Sequence, residues 1–233
     1  MPIHENRLLA ALPRADRQRL LALCKPVQLT LAQVLCEPGQ ATRQVYFPSN
    51  SFISLIAQLD MQHGLEVGMV GSEGMVGVHL ALGVAREPLK VLVQGPGEAL
   101  CIAATPFRAE IKRSAALNKQ VQRYLYVLMA QRASSAACLR FHEIQPRLAR
   151  WLLMSQDRAH ADSFPLTQEF VSTMLGVRRV GATAAAGALQ RRGLIHYHRG
   201  QLTVTDRPGL EAAACSCYAA DLQSYAQAMG GGA

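Results

Sequence analysis

The stretch from Leu166 to Ile195, LTQEFVSTMLGVRRVGATAAAGALQRRGLI, constrains this chain more than any other. It reads as two short helices around one glycine, closing on a strand. Thr167 suits an N-cap, Gln168 and Glu169 fill the first turn where an acid complements the helix dipole, and Leu166 staples onto Val171. That predicts a helix from about Gln168 to Leu175. Gly176 follows where the chain must turn sharply, since glycine takes a positive φ without steric cost. A second helix is expected from about Arg178 to Gln190. On it, Ala182, Ala185, Ala186 and Leu189 form one narrow apolar stripe at i, i+3, i+4 and i+7. The opposite face carries Arg179, Val180, Thr183, Ala184 and Gly187, side chains small enough after the first turn for the backbone to enter a major groove. The guanidinium of Arg179 matches the O6 and N7 edge of guanine.

Beyond it, Leu194 to His198, a turn at Arg199-Gly200 and Leu202 to Thr205 read as a β-hairpin, because β-branched and aromatic residues flank a glycine-containing turn. Helix-turn-helix plus hairpin is a winged helix. Between Leu166 and Arg199, five arginines (178, 179, 191, 192 and 199) face one acid, Glu169. Such a surplus suits a polyanion.

The 233 residues, 50% hydrophobic and 17% charged, are enough for two modest domains with their own cores, and a net charge of +8 favours an acidic partner. Charged residues from His4 to Arg19 interrupt every early apolar run, and no run of about eighteen apolar residues occurs, so no signal peptide or membrane contact is expected and the protein is placed in the cytoplasm. Cys24, Cys36, Cys101, Cys138, Cys215 and Cys217 show no CxxC pair or zinc-type spacing, so they read as reduced thiols and no metal residues are assigned. If Cys215 and Cys217 share a helix, their side chains point about 200° apart. No GxSxG, HExxH or P-loop sequence occurs, which argues against an enzyme, and His196 and His198 alternate on the wing strand.

Along the chain, leucine-rich helices are expected at Asn6 to Leu12 and Pro13 to Leu23. Six strands follow: Val27 to Leu35, Val45 to Phe47, Phe52 to Leu59, Leu65 to Val70, Leu89 to Gln94 and Glu98 to Ala103. Pro38-Gly39, Pro48-Ser49-Asn50, His63-Gly64 and Gly95-Pro96-Gly97 punctuate them at the interval of a sandwich or jelly roll. The glycine-rich run Gly71 to Val78 is either an anion-binding loop or a tight barrel corner, with a short helical piece through Leu82. From Pro106 to Phe141 the pattern is helical. Val121, Leu125, Leu128, Arg132, Ser135 and Leu139 repeat near 3.5 residues as a dimer seam, a lone helix packed on the barrel being the alternative. Pro146 suggests a hinge before a helix from Arg147 to Met154, whose apolar face is Leu148, Trp151 and Leu152. The domains are therefore drawn as 1–143 and 144–233. A last helix is expected from Pro208 to Met229 with Leu210, Ala214, Cys217 and Tyr218 inward, and a frayed end from Gly230 to Ala233.

The order of glycine-punctuated barrel, long helix, hinge and winged helix resembles the Crp/Fnr family of bacterial transcription regulators over nearly the whole chain. The most specific match is LTQEFVSTMLGVRRVGATAAAGALQRRGLI, joined by YFP at Tyr46 to Pro48, EGMVG at Glu73 to Gly77 and RLARWLL at Arg147 to Leu153. The resemblance implies an α+β chain: a jelly-roll barrel of the cyclic-nucleotide-binding type, a long dimerisation helix (about 106–141) and a C-terminal winged helix-turn-helix. It implies a homodimer that binds double-stranded DNA and works with RNA polymerase. The DNA-binding residues are then Thr167, Arg178, Arg179, Val180, Thr183, Ala184 and Arg199. The effector region is Gly74, Met75, Val76, Gly77, Arg86, Glu87 and Arg132. In cyclic-nucleotide-binding members, a glutamate takes the ribose and an Arg-Ser/Thr pair the phosphate. Here Met75 stands in the glutamate's place and Glu87 follows Arg86, while Arg132 and Ala133 replace the hydroxyls offered to the base. Cyclic AMP is therefore not the expected effector, and the small molecule stays unassigned. An iron-sulfur cluster lacks its N-terminal cysteines, and haem would rest on His79 alone. A cyclic-nucleotide-, haem- or redox-responsive member of the same fold is the alternative.

Overall fold

The computed structural model describes residues 5–60 and 64–230, with the side chains of Gln168 and Glu169 outside that description. The expected turn residue His63, the dipole role of Glu169 and the end from 231 to 233 thus lie outside the described residues. Asn6 caps α1 (Arg7–Ala10) by accepting from the Leu9 N–H, and Pro13 precedes α2 (Arg14–Leu23). The strands are β1 (Lys25–Leu29), β2 (Val34–Cys36), β3 (Gln44–Pro48), β4 (Phe52–Gln58), β5 (Gly64–Val70), β6 (Lys90–Gly95) and β7 (Gly97–Ala103). The expected single run from Val27 to Leu35 is broken in two, because the chain turns at Ala32 with φ 63°. The strands form two antiparallel sheets, β1-β7-β3 and β2-β6-β4-β5. Between them lies a core that includes Leu29, Ile53, Leu55, Val70, Val91 and Val93.

The glycine-rich run resolves as a corner. The Gly71 N–H goes to Glu73 Oε1, Gly74 N–H to the Gly71 carbonyl and Val76 N–H to the Tyr46 carbonyl. These amides are spent within the fold and do not form an anion nest. A short 3-10 turn, Val78–Leu82, follows as expected.

The helix expected from Pro106 is two helices, α3 (Ala104–Arg113) and α4 (Ala115–Phe141). Ser114 turns extended between them and caps α4 through the Leu117 N–H. The expected seam is corrected as well. Val121 and Leu128 are buried against the chain's own barrel with Phe47, Phe107 and Met75. The outward stripe is shifted by one residue: Tyr126, Met129, Ala133, Ala136 and Arg140 are all exposed at alternating spacings of three and four.

The chain breaks at His142 and Glu143, both extended, and α5 (Ile144–Ala159) carries Pro146 in its first turn, where no hydrogen bond is lost. After β8 (Ser163–Pro165) come α6 (Gln168–Leu175), α7 (Arg179–Arg191), β9 (Ile195–His198) and β10 (Gln201–Val204). These three strands form one sheet in the order β8-β10-β9. Strand β8 has no counterpart in the sequence reading, because three residues are too few to show a period. The expected final helix is also two, α8 (Arg207–Ala213) and α9 (Cys217–Met229), since Ala214 is extended and Cys215 sits in the turn.

Strand β4 is covered on both faces. Ile53 and Leu55 point into the barrel, whereas Phe52 and Ile56 join Met69 in a core shared with Leu148, Leu152, Met174 and Leu175. The barrel wall and the helix-turn-helix unit therefore bury one continuous apolar core. Its sequence, FISLIAQ, is close to continuously apolar, the pattern of a strand buried on both sides.

Candidate nucleic-acid interface

Thr167 Oγ1 accepts from the Phe170 N–H at 3.1 Å, starting α6 as an N-cap. Helix α6 ends at Gly176, φ 61°, where an added Cβ would lie 2.8 Å from Leu65 Cδ1 of β5. Both the left-handed backbone and the approach of the barrel require glycine there. Arg178 is the N-cap residue of α7. Ala182, Ala185 and Leu189 are buried and Ala186 half-buried, so the apolar stripe packs as its spacing predicts. Arg178, Arg179, Val180, Thr183 and Ala184 are exposed, Val180 to 81%.

The wing is fixed to this helix by specific bonds. Leu166 N–H donates to the Gly200 carbonyl at 2.8 Å, and Tyr197 Oη donates to the Leu166 carbonyl at 3.0 Å. Tyr197 N–H donates to Gln190 Oε1 at 2.8 Å. Arg199 and Gly200, φ 48° and 78°, make the two-residue hairpin tip that matches strand twist. Arg199 is therefore displayed at the end of the wing. His196 and His198 share one face of β9 with their rings stacked, centroids 6.3 Å apart.

Residues 146–213 match the Crp-like helix-turn-helix domain. The chain carries a Crp-like helix-turn-helix domain. The fold is that of Crp/Fnr regulators. FixK2 from Bradyrhizobium japonicum superposes with TM-score 0.69 at 11% identity, over 83% of this chain and 98% of its own. A Crp/Fnr-family transcriptional regulator from Thermus thermophilus gives 0.67 at 20%, over 82% and 98%. CLP, a c-di-GMP-responsive global regulator from Xanthomonas campestris, gives 0.62 at 18%, over 82% and 99%. A search of curated proteins finds no match. Among the described residues no helix is long and apolar enough to cross a membrane.

The barrel has its own cleft, about 700 Å³, lined by residues including Thr42, Tyr46, Val76, Arg86, Glu87 and Val91. Of the expected effector residues, Val76, Arg86 and Glu87 line it. Gly74 and Met75 do not: Met75 is buried in the helical core, and a Cβ on Gly74 would fall 2.0 Å from Tyr124 Oη. Gly77, φ 89°, turns the chain before the 3-10 turn and does not line the cleft, and Arg132 is exposed on α4 and outside its lining. Arg86 Nη1 donates to the Gly39 carbonyl at 2.6 Å. Glu87 is buried, with Oε2 3.3 Å from His79 Nδ1, while His79 Nε2 meets Thr42 Oγ1 at 2.8 Å. Burial raises the Glu87 pKa, and burial followed by the charge of Arg132 lowers that of His79. Both ring nitrogens of His79 are engaged, so the ring as placed offers no lone pair to a haem iron. The Thr42-His79-Glu87 chain escaped sequence reading because its members lie up to 45 residues apart and share no local period.

Proposed function

We propose that this chain is a dimeric, sequence-specific transcription regulator with two units, 1–143 for sensing and 144–233 for reading DNA. Its carrying observation is the exposed face of α7 on a Crp-like helix-turn-helix. Arg179, Val180, Thr183 and Ala184 enter the major groove, while Arg178, Thr167 and Arg199 hold the sugar-phosphate backbone on either side. The exposed α4 stripe of Tyr126, Met129, Ala133 and Ala136 pairs with a second copy, the alanines letting the two helices approach closely. RNA polymerase is the further partner, and the cytoplasm the compartment.

The barrel cleft does not take cyclic AMP in the usual way. Glu87 places a carboxylate at its wall, Arg86 is spent on a backbone carbonyl, and Met75 faces the core rather than a ribose. Gel-shift titration with random genomic fragments at two salt concentrations, followed by selection from randomised operators, tests the reading. The expected result is salt-sensitive binding and an inverted repeat with half-sites about one helical turn apart. Calorimetry showing micromolar cyclic AMP binding would overturn the effector part.

A further inference from the structure

Four metal-ligating side chains far apart in sequence converge where the long helix meets the DNA-reading half. Cys138 and His142 lie one turn apart at the end of α4, and Cys215 and Cys217 flank the start of α9. Their donor atoms all lie within 4.8 Å of one another. Cys138 Sγ is 3.6 Å from Cys215 Sγ, and Cys217 Sγ is 3.6 Å from His142 Nδ1. In a tetrahedral zinc site, metal-sulfur bonds of about 2.3 Å and metal-nitrogen bonds of about 2.0 Å put sulfur-sulfur edges near 3.8 Å and sulfur-nitrogen edges near 3.5 Å. The two measured edges have those lengths before any cation is added. Three of the six cysteines thus converge in space, and Cys215 lies in the turn before α9 and does not share a helix with Cys217.

We propose that Cys138, His142, Cys215 and Cys217 form a Cys3His site for a thiophilic, tetrahedral divalent cation, zinc being the fit. A disulfide between Cys138 and Cys215 would use two donors and leave Cys217 and His142 aimed at the same point without a task. Three thiolates and a dication carry a net charge of −1, and the buried guanidiniums of Arg147 and Arg150 act electrostatically on Cys138 and Cys215. With four protein ligands the site is closed, the form of a structural rather than a catalytic metal. It ties three segments together. Cys138 and His142 end α4, the Cys215 N–H donates to the Pro146 carbonyl of α5 at 3.3 Å, and Cys217 opens α9. One residue past Pro146, Arg147 Nη2 donates to the Leu175 carbonyl at the end of α6. Metal loading therefore fixes the break at His142 and Glu143 on which the orientation of the reader depends.

The test is titration of the full-length, reduced, chelator-stripped protein with Co²⁺ under anaerobic conditions. The expected result is one equivalent per chain, with the intense visible d–d bands of tetrahedral cobalt and a thiolate-to-metal charge-transfer band, displaced by one equivalent of Zn²⁺. Zinc should also shield three of the six cysteines from alkylation. His142→Ala should weaken binding tenfold or more, Cys217→Ser should remove part of the charge-transfer intensity, and Cys24→Ser should change neither. His142 and Cys217 are half-buried, so these variants keep the test open if Cys138→Ser fails to fold. Weak octahedral spectra, spectra indifferent to His142→Ala and Cys217→Ser, or a reduced chain that binds no cobalt yet oxidises to a Cys138–Cys215 disulfide would each overturn the proposal.

Discussion

Trp151 Nε1 donates to Glu66 Oε1 at 2.9 Å, joining α5 to barrel strand β5 across the junction of the two halves. The Ser54 hydroxyl donates to the other oxygen of Glu66 at 2.5 Å, so two donors hold the carboxylate beneath an indole. Burial pushes its pKa up to about 7, the Ser54 and Trp151 hydrogen bonds only partly opposing it.

That shift makes the junction sensitive to pH. A folded pKa near 7 above an ordinary value near 4.5 means that Glu66 favours the fold fully below pH 4.5 and progressively less as pH rises through 7. Glu66→Gln should therefore match the parent at pH 4.5 and exceed it at pH 8 by about 1–3 kcal/mol in urea denaturation. A variant less stable than the parent at pH 8 would contradict this.

Arg158 reaches from the same helix to Glu73 at the glycine-rich corner, with 2.8 Å contacts between largely buried groups. Arg158→Leu strands the Glu73 carboxylate with little besides the Gly71 N–H, and should cost about 3 kcal/mol or more. Adding Glu73→Gln should recover much of the loss, as a double-mutant cycle would measure.

Gly74 leaves no room for a methyl group against Tyr124. Gly74→Ala should lower stability by about 1–3 kcal/mol by pushing α4 off the corner. The same change in a Tyr124→Leu background should cost less, and thermal unfolding of the four proteins would show it.

The outward stripe of α4 makes Met129, not Leu128, the residue at which assembly is tested. Met129, 67% exposed, can carry a charge without disturbing the fold, whereas Leu128 cannot. Sedimentation should find Met129→Asp folded and monomeric, and Leu128→Asp destabilised. A dimeric Met129→Asp protein would place the interface elsewhere.

On the proposed docking, the arginines of the helix-turn-helix and its wing separate by role. Arg179→Ala should cost about 1–3 kcal/mol in DNA binding and relax one base-pair preference. Arg199→Ala, at the wing tip, should weaken all sequences alike and lower the salt slope by about one counterion. Recovery of the parent consensus by Arg179→Ala, with a position lost by Arg199→Ala, would mean that the helix sits differently on DNA.

Much of this architecture was legible in the residues alone, wherever the deciding physics is local. Thr167, Gly176 and the Ala182-Ala185-Leu189 stripe set the two helices through capping, a left-handed turn and a 3.6-residue period. Arg199-Gly200 set the wing by turn geometry. Alternation and turn spacing likewise outlined the barrel strands. Only the tertiary structure decided which face of α4 is covered, because Val121 and Leu128 meet a barrel surface that no helical period announces. It also decided that Met75 belongs to a core, that Glu87 turns to His79, and that Phe52 and Ile56 serve the reader's core rather than the barrel's. Cys138 and Cys215, 77 positions apart, carry no mutual signal in the sequence. They meet because α9 folds back along α4, a consequence of long-range packing that a local pattern cannot encode.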